Sequence, residues 1–194
     1  MTRTADEHRK TLETEVTVRI ALDGTGDASV STGVGFYDHL LTAFAHHGMI
    51  DLAIETEGDL HIDEHHTVED TALVLGSAIA TALGERIGIT RYGNATVPMD
   101  EALATAAVDA GGRPYAVIDI GFTGDHIGSL STQMIPHALE SLARTGGLTI
   151  HLSATGRNDH HIAEAAFKAL GRALRAAIAD DPARIGVPST KGTT

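Results

Sequence analysis

Two copies of one short pattern constrain the fold of this chain more than any other feature of its sequence. Residues 63–70 (Asp-Glu-His-His-Thr-Val-Glu-Asp) and residues 159–164 (Asp-His-His-Ile-Ala-Glu) each contain a pair of adjacent histidines. In both copies a glutamate stands four positions after the first histidine, and apolar residues at helical spacing follow. The pattern predicts two long amphipathic helices that begin at these histidines.

Helix geometry separates the two histidines of each pair. Residues four apart lie on one face, which pairs His65 with Glu69 and His160 with Glu164. The second histidine of each pair points about 100° away from the first. A His/Glu pair can chelate one metal ion, while the second histidine must bind a different ion. The repeat therefore predicts more than one metal site.

The composition limits both the ligands and the partners of such sites. The chain has no cysteine, so a metal site must use nitrogen and oxygen ligands. A formal net charge of -12 and the lack of a basic stripe argue against binding to nucleic acid or an anionic membrane. The polar N-terminus and the absence of an apolar run of about 20 residues indicate neither a signal peptide nor a membrane span. We therefore expect a cytoplasmic protein.

Hydrophobic periodicity predicts the same order of elements in both halves of the chain. In the first half we predict strands at 12–22 and 28–32, a helix at 36–47, a strand at 50–57, and a helix from residue 65 that ends at Gly88. In the second half we predict strands at 101–109 and 115–120 joined by a turn at 111–114, a helix at 133–143, a strand at 148–154, and a helix at 160–179.

The earlier helix of each half carries a further histidine. His39 precedes its histidine pair by 26 residues and His137 precedes its own by 23. We therefore predict an α+β fold made by internal duplication, with sheet packed against helices. The first repeat is expected at residues 1–92 and the second at residues 93–194.

Eight residues are candidate metal ligands: His39, His65, His66, Glu69, His137, His160, His161 and Glu164. Four protein ligands on each of two octahedral ions leave coordination positions open, as a catalytic site requires. Imidazole and carboxylate suit Zn, Mn, Fe, Co or Ni, and the spacing does not choose among them. A lone histidine is usually an ordinary surface or core residue, which is the default for His8, His46, His61, His126 and His151. Recurrence at matching places of a repeat favours metal ligation over that default.

Several longer motifs resemble one known family. They are residues 36–41 (Phe-Tyr-Asp-His-Leu-Leu), 58–70 (beginning Gly-Asp-Leu-His), 99–103 (Met-Asp-Glu-Ala-Leu), 112–115 (Gly-Arg-Pro-Tyr), 158–165 (beginning Asn-Asp-His-His) and 187–192 (Val-Pro-Ser-Thr-Lys-Gly). In sequence and order these motifs resemble the imidazoleglycerol-phosphate dehydratases, and the resemblance extends over about residues 13–192.

The resemblance implies a lyase of histidine biosynthesis that converts imidazole glycerol phosphate into imidazole acetol phosphate and water. It also implies two manganese ions per active site and two repeats similar to domain 2 of ribosomal protein S5. The implied assembly is a shell of 24 subunits with active sites between subunits.

The resemblance further implies the substrate-binding residues: Glu13, His39, His47, His65, Glu69, Arg91, Arg113, His160, Lys168, Ser189, Thr190 and Lys191. Among these, Arg91, Arg113, Ser189 and Lys191 match phosphate-binding positions of the family. The proton to be removed sits on a carbon that is not acidic. We therefore hypothesise that binding of the substrate imidazole between two metal ions lets the neighbouring hydroxyl leave and acidifies that carbon. The candidate proton carriers are Glu13, Glu164 and His47.

Two other kinds of function suit the same ligands. A different two-metal enzyme, such as a hydrolase of phosphate esters, would release phosphate from simple esters. A storage or assembly protein with closed sites would bind metal without turnover.

Overall fold

The computed structural model of the chain describes residues 3–191. Its strands are β1 (Thr4–Lys10), β2 (Thr14–Ala21), β3 (Ala28–Ser31), β4 (Asp51–Gly58), β5 (Tyr92–Met99), β6 (Ala102–Asp109), β7 (Tyr115–Ile120), β8 (His126–Ile127), β9 (Leu130–Ser131) and β10 (Thr149–Thr155). Its helices are α1 (Gly35–Gly48), α2 (His65–Leu83), α3 (Met134–Gly146) and α4 (Asp159–Ile178). Over residues 3–191, every helix is too short or too polar to cross a membrane.

The two large sheets have the same topology. The strand order is β1-β2-β4-β3 in the first sheet and β5-β6-β10-β7 in the second. In each sheet one pair is parallel, β3 with β4 and β7 with β10, and the other pairs are antiparallel. Exchanging β1, β2, β3 and β4 for β5, β6, β7 and β10 reproduces the order. The predicted α+β fold with an internal duplication is confirmed.

The helices pack together between the two sheets. Helix α2 contacts β1 and β2, α4 contacts β5 and β6, and the halves meet where α1 packs on α4 and α2 on α3. Alternate residues of the central strands face this layer, including Val16 and Val18 of β2 and Ala104 and Ala106 of β6, all of which are buried. A single hydrophobic core therefore joins the two halves.

Two equivalent glycines let the helices of the two halves approach closely. Gly76 of α2 and Gly171 of α4 each follow the first histidine of their motif by eleven residues. A Cβ at Gly76 would lie 2.6 Å from the carbonyl oxygen of Leu142 in α3, and a Cβ at Gly171 would lie 2.4 Å from that of Phe44 in α1. Larger residues would push the helices apart. The close crossings bring the histidines of α1 and α3 to the motifs on α4 and α2.

Each predicted strand and helix has a counterpart, but some details of the prediction were wrong. Helix α2 ends at Leu83 rather than at Gly88, because Gly84 adopts a φ of 54°. The segment 111–114 does not join neighbouring strands, since β10 lies between β6 and β7.

Strands β1 and β5 were not predicted at all. Both are edge strands, where one side of the strand has no partner and the hydrophobic signal is weak. Strand β1 is almost entirely polar, and β5 contains Gly93 and Pro98, which lower strand propensity. The predicted boundary between residues 92 and 93 falls at the start of β5 and stays a prediction.

Candidate metal centres and an arginine-lined cavity

The first cluster of candidate ligands forms where α4 begins beside α1. His160 and Glu164 lie one turn apart on α4, and His39 reaches them from α1. The Nε2 atoms of His39 and His160 lie 3.0 and 3.1 Å from Oε2 of Glu164. Lys168, one turn further along α4, donates to Oε1 of the same carboxylate at 2.7 Å. Three ligand atoms thus converge within 4.8 Å of one another.

The second cluster is the counterpart of the first on the other helix pair. His65 and Glu69 lie one turn apart on α2, and His137 reaches them from α3. The Nε2 atoms of His65 and His137 lie 3.6 and 3.5 Å from the carboxylate oxygens of Glu69. Arg144 of α3 donates to Oε1 of Glu69 at 3.3 Å. The three ligand atoms again lie within 4.8 Å of one another.

Each cluster draws residues from both halves of the chain. Sequence spacing associates His39 with the motif at residues 65–69 and His137 with the motif at 160–164. The structure makes the opposite pairing, because α1 packs on α4 and α3 packs on α2. The two clusters are therefore products of the duplicated fold as a whole, and neither half contains a complete one.

Both clusters fit a metal ion. Imidazole nitrogen and carboxylate oxygen are common ligands of divalent transition metals. In the second cluster, Nε2 of His137 is buried and has no hydrogen-bond partner among residues 3–191. A buried polar atom is normally satisfied, and an ion between His137 and Glu69 would satisfy this one. The other histidines of the clusters are nearly half exposed, so positions on an ion would remain open toward the surface.

The carboxylate of the first cluster is held as an anion. Burial raises the pKa of Glu164, but the hydrogen bonds from Lys168 and His39 outweigh it and lower the pKa to about 2. Both oxygens of this carboxylate are occupied by those partners and by His160. The arrangement suits a metal ligand better than a group that carries a proton.

The second histidine of each motif lies apart from its cluster. Its ring stands at 84° to its neighbour in α2 and at 90° in α4. His66 makes a hydrogen bond of 3.0 Å to Asp59, which raises the pKa of the imidazole. His161 makes one of 2.9 Å to Glu101, which raises the pKa of His161 and, with backbone contacts, lowers that of Glu101 to about 2. The divergence expected from helix geometry is present.

The other two candidate proton carriers lie in different places. Glu13 is in the turn between β1 and β2, largely exposed, with Oε2 3.8 Å from Nε2 of His66. His47 is in the last turn of α1 and lines a cavity of about 400 Å³ with Arg172 and Arg175 of α4. Burial, with the nearby positive charges, lowers the pKa of His47. His47 is two turns, or roughly 12 Å along α1, from His39 of the first cluster.

The four predicted phosphate-binding residues, Arg91, Arg113, Ser189 and Lys191, line one open cavity of about 740 Å³, together with the predicted substrate-binding residue Thr190. Arg91 donates to both oxygens of Asp109, at 2.7 and 3.0 Å, and to the carbonyl oxygen of Pro188 at 2.6 Å. These bonds tie the C-terminal segment to β6. Arg113 is 74% exposed, and its distance of 3.7 Å from Asp109 is too long for a hydrogen bond, so the N–H groups of its guanidinium can bind an anion. Gly192, which ends the predicted tail motif, lies outside the described residues.

Within one chain this cavity and the first cluster lie at opposite ends of α4. The backbone N–H of Arg91 donates to the carbonyl oxygen of Ala177 in the last turn of α4. Glu164 belongs to the beginning of that helix, and Ala177 is roughly 20 Å further along the axis. Lys168, also predicted to bind substrate, lies at the cluster end. A single chain therefore does not bring its predicted phosphate site next to its own first cluster.

The fold and the site together define a class: a duplicated α+β protein with two His/Glu clusters that fit metal ions. Residues 32–174 match the family model described as imidazoleglycerol-phosphate dehydratase. The chain therefore belongs to the imidazoleglycerol-phosphate dehydratase family, and the resemblance found in the sequence is confirmed. Enzymes of this name are hydro-lyases, EC 4.2.1.19, of histidine biosynthesis.

Curated relatives and solved structures agree with this assignment. The imidazoleglycerol-phosphate dehydratase of Methanoculleus marisnigri is 52% identical over 191 residues, covering 98% of this chain and 99% of the relative. That of Methanocella arvoryzae is 53% identical over 190 residues, covering 98% of each. The crystal structure of the Pyrococcus furiosus enzyme in complex with (S)-C348 is 38% identical, with a TM-score of 0.83, and covers 97% of this chain and 100% of that one.

Several residues around the site were not predicted individually. Asp109 anchors Arg91, and Arg144 pairs with Glu69. Asp59 and Glu101 contact His66 and His161, the second histidines of the two motifs, which we call the outer histidines. Asp59 and Glu101 do belong to the motifs at residues 58–70 and 99–103, but these motifs did not indicate what either residue does. Asp109 and Arg144 had no such signal, because nothing in their local sequence distinguishes them from surface charges.

Proposed function

We propose that this chain removes water from imidazole glycerol phosphate to give imidazole acetol phosphate, using two manganese ions per active site. The observation that supports the proposal most is the pair of His/Glu clusters, each beside a histidine that diverges from it. The family assignment supports a dehydratase of histidine biosynthesis. A cytoplasmic location belongs to the same proposal.

The clusters supply the inner ligands in this proposal. One ion would be held by His39, His160 and Glu164, and the other by His65, Glu69 and His137. His66 and His161 would complete these sites from neighbouring copies, since both diverge from their own clusters. The chemistry that bound manganese supplies is stabilisation of negative charge on the substrate imidazole.

Neighbouring copies are also needed for the phosphate end of the substrate. The arginine-lined cavity is roughly 20 Å along α4 from the first cluster, and a molecule as small as imidazole glycerol phosphate cannot bridge that distance. An active site assembled between copies removes this difficulty. It agrees with the shell of 24 subunits implied by the resemblance, which stays part of the proposal.

Proton transfer is assigned to Glu13. Loss of water requires one group to take a proton from carbon and a proton to reach the departing hydroxyl. Glu164 has both oxygens occupied, and in the described residues His47 makes no hydrogen bond or ion pair with any of the eight candidate ligands. Glu13 is exposed and next to His66, so it would enter the same composite site as that histidine. Its carboxylate is free to move a proton near the glycerol chain.

Replacement of Glu13 by glutamine tests this assignment. The amide keeps the shape of the side chain but cannot take up the proton, so we expect kcat to fall about 10²- to 10⁴-fold. Manganese content should stay at the wild-type level, because Glu13 belongs to neither cluster. Steady-state kinetics and metal analysis of the same sample provide the measurement. An unchanged kcat would assign proton transfer to His47 or to another group.

The phosphate contacts are tested by replacing Arg113 with alanine. Its guanidinium is exposed at the cavity and lies near Asp109, which limits its movement. Charge-assisted hydrogen bonds to phosphate contribute about 1.5–3 kcal/mol. We expect KM to rise roughly 10- to 100-fold with metal content unchanged. Arg19→Ala is the matched control, since Arg19 is an exposed arginine paired with Asp6 on the first sheet. A wild-type KM in the Arg113 variant would remove this residue from the site.

A direct assay separates the proposed function from its two alternatives. Purified protein is supplied with manganese, analysed for metal, and incubated with imidazole glycerol phosphate or with simple phosphate esters. We expect imidazole acetol phosphate from the first and no phosphate release from the second. Phosphate release would favour a two-metal hydrolase. Bound metal without either reaction would favour a storage or assembly protein.

A further inference from the structure

We propose that Asp59 and Glu101 are positioning residues that orient the imidazoles of His66 and His161 for metal binding. Each carboxylate would hold Nδ1 of its histidine and leave Nε2 available to an ion. The inference rests on the proposed function, because it takes His66 and His161 as ligands. It assigns a role to the Gly58-Asp59 and Asp100-Glu101 segments, which the proposed mechanism does not use.

The hydrogen bonds fix which ring nitrogen carries the proton. Oδ2 of Asp59 lies 3.0 Å from Nδ1 of His66, and Oε2 of Glu101 lies 2.9 Å from Nδ1 of His161. A carboxylate only accepts, so Nδ1 must donate, and the lone pair of a neutral imidazole is then on Nε2. A metal-bound histidine is commonly held through its other nitrogen in this way.

Nε2 of each outer histidine is left without a hydrogen bond. Oε2 of Glu13 is 3.8 Å from Nε2 of His66, which is beyond hydrogen-bond distance. Nε2 of His161 makes no hydrogen bond to any residue between 3 and 191, and it is not among the buried unsatisfied atoms. Both nitrogens are therefore free to bind an ion.

The four cluster histidines are arranged differently. In each of them Nε2 faces the carboxylate of Glu69 or Glu164, and none has a carboxylate at Nδ1 in the described part of the chain. A carboxylate on Nδ1 is thus a feature of the two outer histidines. The rings of His66 and His161 point away from Glu69 and Glu164, so the carboxylates of the clusters cannot orient them.

The backbone places the two carboxylates in different ways. Oε1 of Glu101 accepts from the backbone N–H groups of Arg157 and Asn158, at 3.2 and 2.9 Å, in the loop that leads into α4. Asp59 follows Gly58 at the end of β4, where a Cβ would lie 2.1 Å from Oγ1 of Thr67. Glycine at this point lets the chain pass close to α2 and brings Asp59 to His66.

The same contact is made twice by residues that are not equivalent in the duplication. His66 and His161 hold equivalent positions in α2 and α4. Asp59, however, follows β4, whereas Glu101 lies in the turn between β5 and β6, whose counterpart is the turn between β1 and β2. Copying of one ancestral contact does not account for both. A requirement that both imidazoles be oriented through Nδ1 accounts for the two contacts.

The experiment measures Mn²⁺ affinity from the EPR signal of free Mn²⁺ during titration of the full-length protein. We expect Asp59→Ala and Glu101→Ala to weaken binding about 10- to 100-fold. Glu101→Gln should recover most of the affinity, because an amide oxygen still accepts from Nδ1. Asp100→Asn is the matched control: Asp100 is adjacent to Glu101, highly exposed and 4.0 Å from Nδ1 of His161, and asparagine tolerates its φ of 49°, so wild-type affinity is expected.

A double-mutant cycle distinguishes positioning from a general structural role. If Glu101 acts through His161, the pair Glu101→Ala and His161→Ala should bind Mn²⁺ no more weakly than His161→Ala alone. Additive losses would overturn the proposal, as would wild-type Mn²⁺ affinity in both single carboxylate variants. ¹⁵N NMR of histidine-labelled protein should also show loss of the Nδ1–H tautomer in the Ala variants, and an unchanged tautomer would contradict the inference.

The outcome is separable from that of the proposed function. Failure of the wild-type protein to dehydrate imidazole glycerol phosphate would reject the function, whatever the Mn²⁺ titrations show. Normal turnover by the wild type, combined with full Mn²⁺ affinity in the Asp59 and Glu101 variants, would reject only the positioning role.

Discussion

Replacement of His160 by alanine should remove manganese from the first cluster and lower kcat/KM about 10³-fold or more. His160 supplies one of three ligand atoms, and its loss leaves Glu164 and His39 without the third member of the cluster. His65→Ala should do the same for the second cluster. Because each composite site needs neighbouring copies in the proposed function, both variants should also lose assembly. Metal analysis, kinetics and the mass of the particle in solution provide the measurements.

His151→Ala is a suitable control for these variants. His151 is an exposed histidine of β10 and belongs to neither cluster, so metal content, activity and particle mass should match those of the wild type. Preparations are compared at equal protein and manganese concentrations, since ligand binding and association both stabilise the folded state. A His160→Ala or His65→Ala protein with full metal content and an intact assembly would refute the ligand assignment.

The sequence was sufficient to predict most of the fold because its hydrophobic periodicity is strong where elements are buried. Helix α4 and strand β2 each have one apolar face in the sequence and one buried face in the structure. Edge strand β1 gave no such signal, because neither of its faces is well buried. The end of α2 was misplaced because Gly84 and Gly88 both have positive φ and either could end a helix. The sequence does not show which of the two does so.

The six residues of the two clusters were all among the candidate ligands found in the sequence, but the way they are grouped could not be predicted. Helix geometry alone separates His65 from His66, since that separation depends only on the 3.6-residue turn. Which histidine of an earlier helix joins which motif depends on helix packing across the halves, and spacing along the chain suggested the wrong partners for His39 and His137. The contacts of Asp59 and Glu101 depend on turns whose approach to the helices is a tertiary property.

The duplication explains why long-range packing has such a large effect on this site. Each half supplies a His/Glu pair on one helix and a single histidine on another, yet these three residues do not meet within a half. The cluster forms only when α1 packs on α4 or α3 packs on α2, at the crossings that Gly171 and Gly76 permit. Residues that join the halves should therefore matter to the site even when they are far from it.

Replacement of Arg86 by alanine should lower the free energy of unfolding by about 3 kcal/mol, which corresponds to a fall in Tm of roughly 10 °C. Arg86 follows α2 in the first half, is buried, and donates to three carbonyl oxygens of the second half, those of Ala110, Gly146 and Gly147. No carboxylate pairs with it in the described residues, and burial lowers its pKa. Removal of the guanidinium leaves buried carbonyls unsatisfied at the end of α3 and opens a cavity between the halves.

Two further variants show whether the effect comes from these hydrogen bonds. Arg86→Lys should recover little stability, because a single ammonium cannot reproduce the fork of donors that reaches several carbonyls. Arg175→Ala, on the exposed side of α4 and without an ion pair in residues 3–191, should leave Tm within about 2 °C of the wild type. Melting curves are recorded at one protein and manganese concentration. Equal Tm values for Arg86→Ala and Arg175→Ala would mean that the hydrogen bonds of this arginine make no net contribution to the stability of the contact between the two halves.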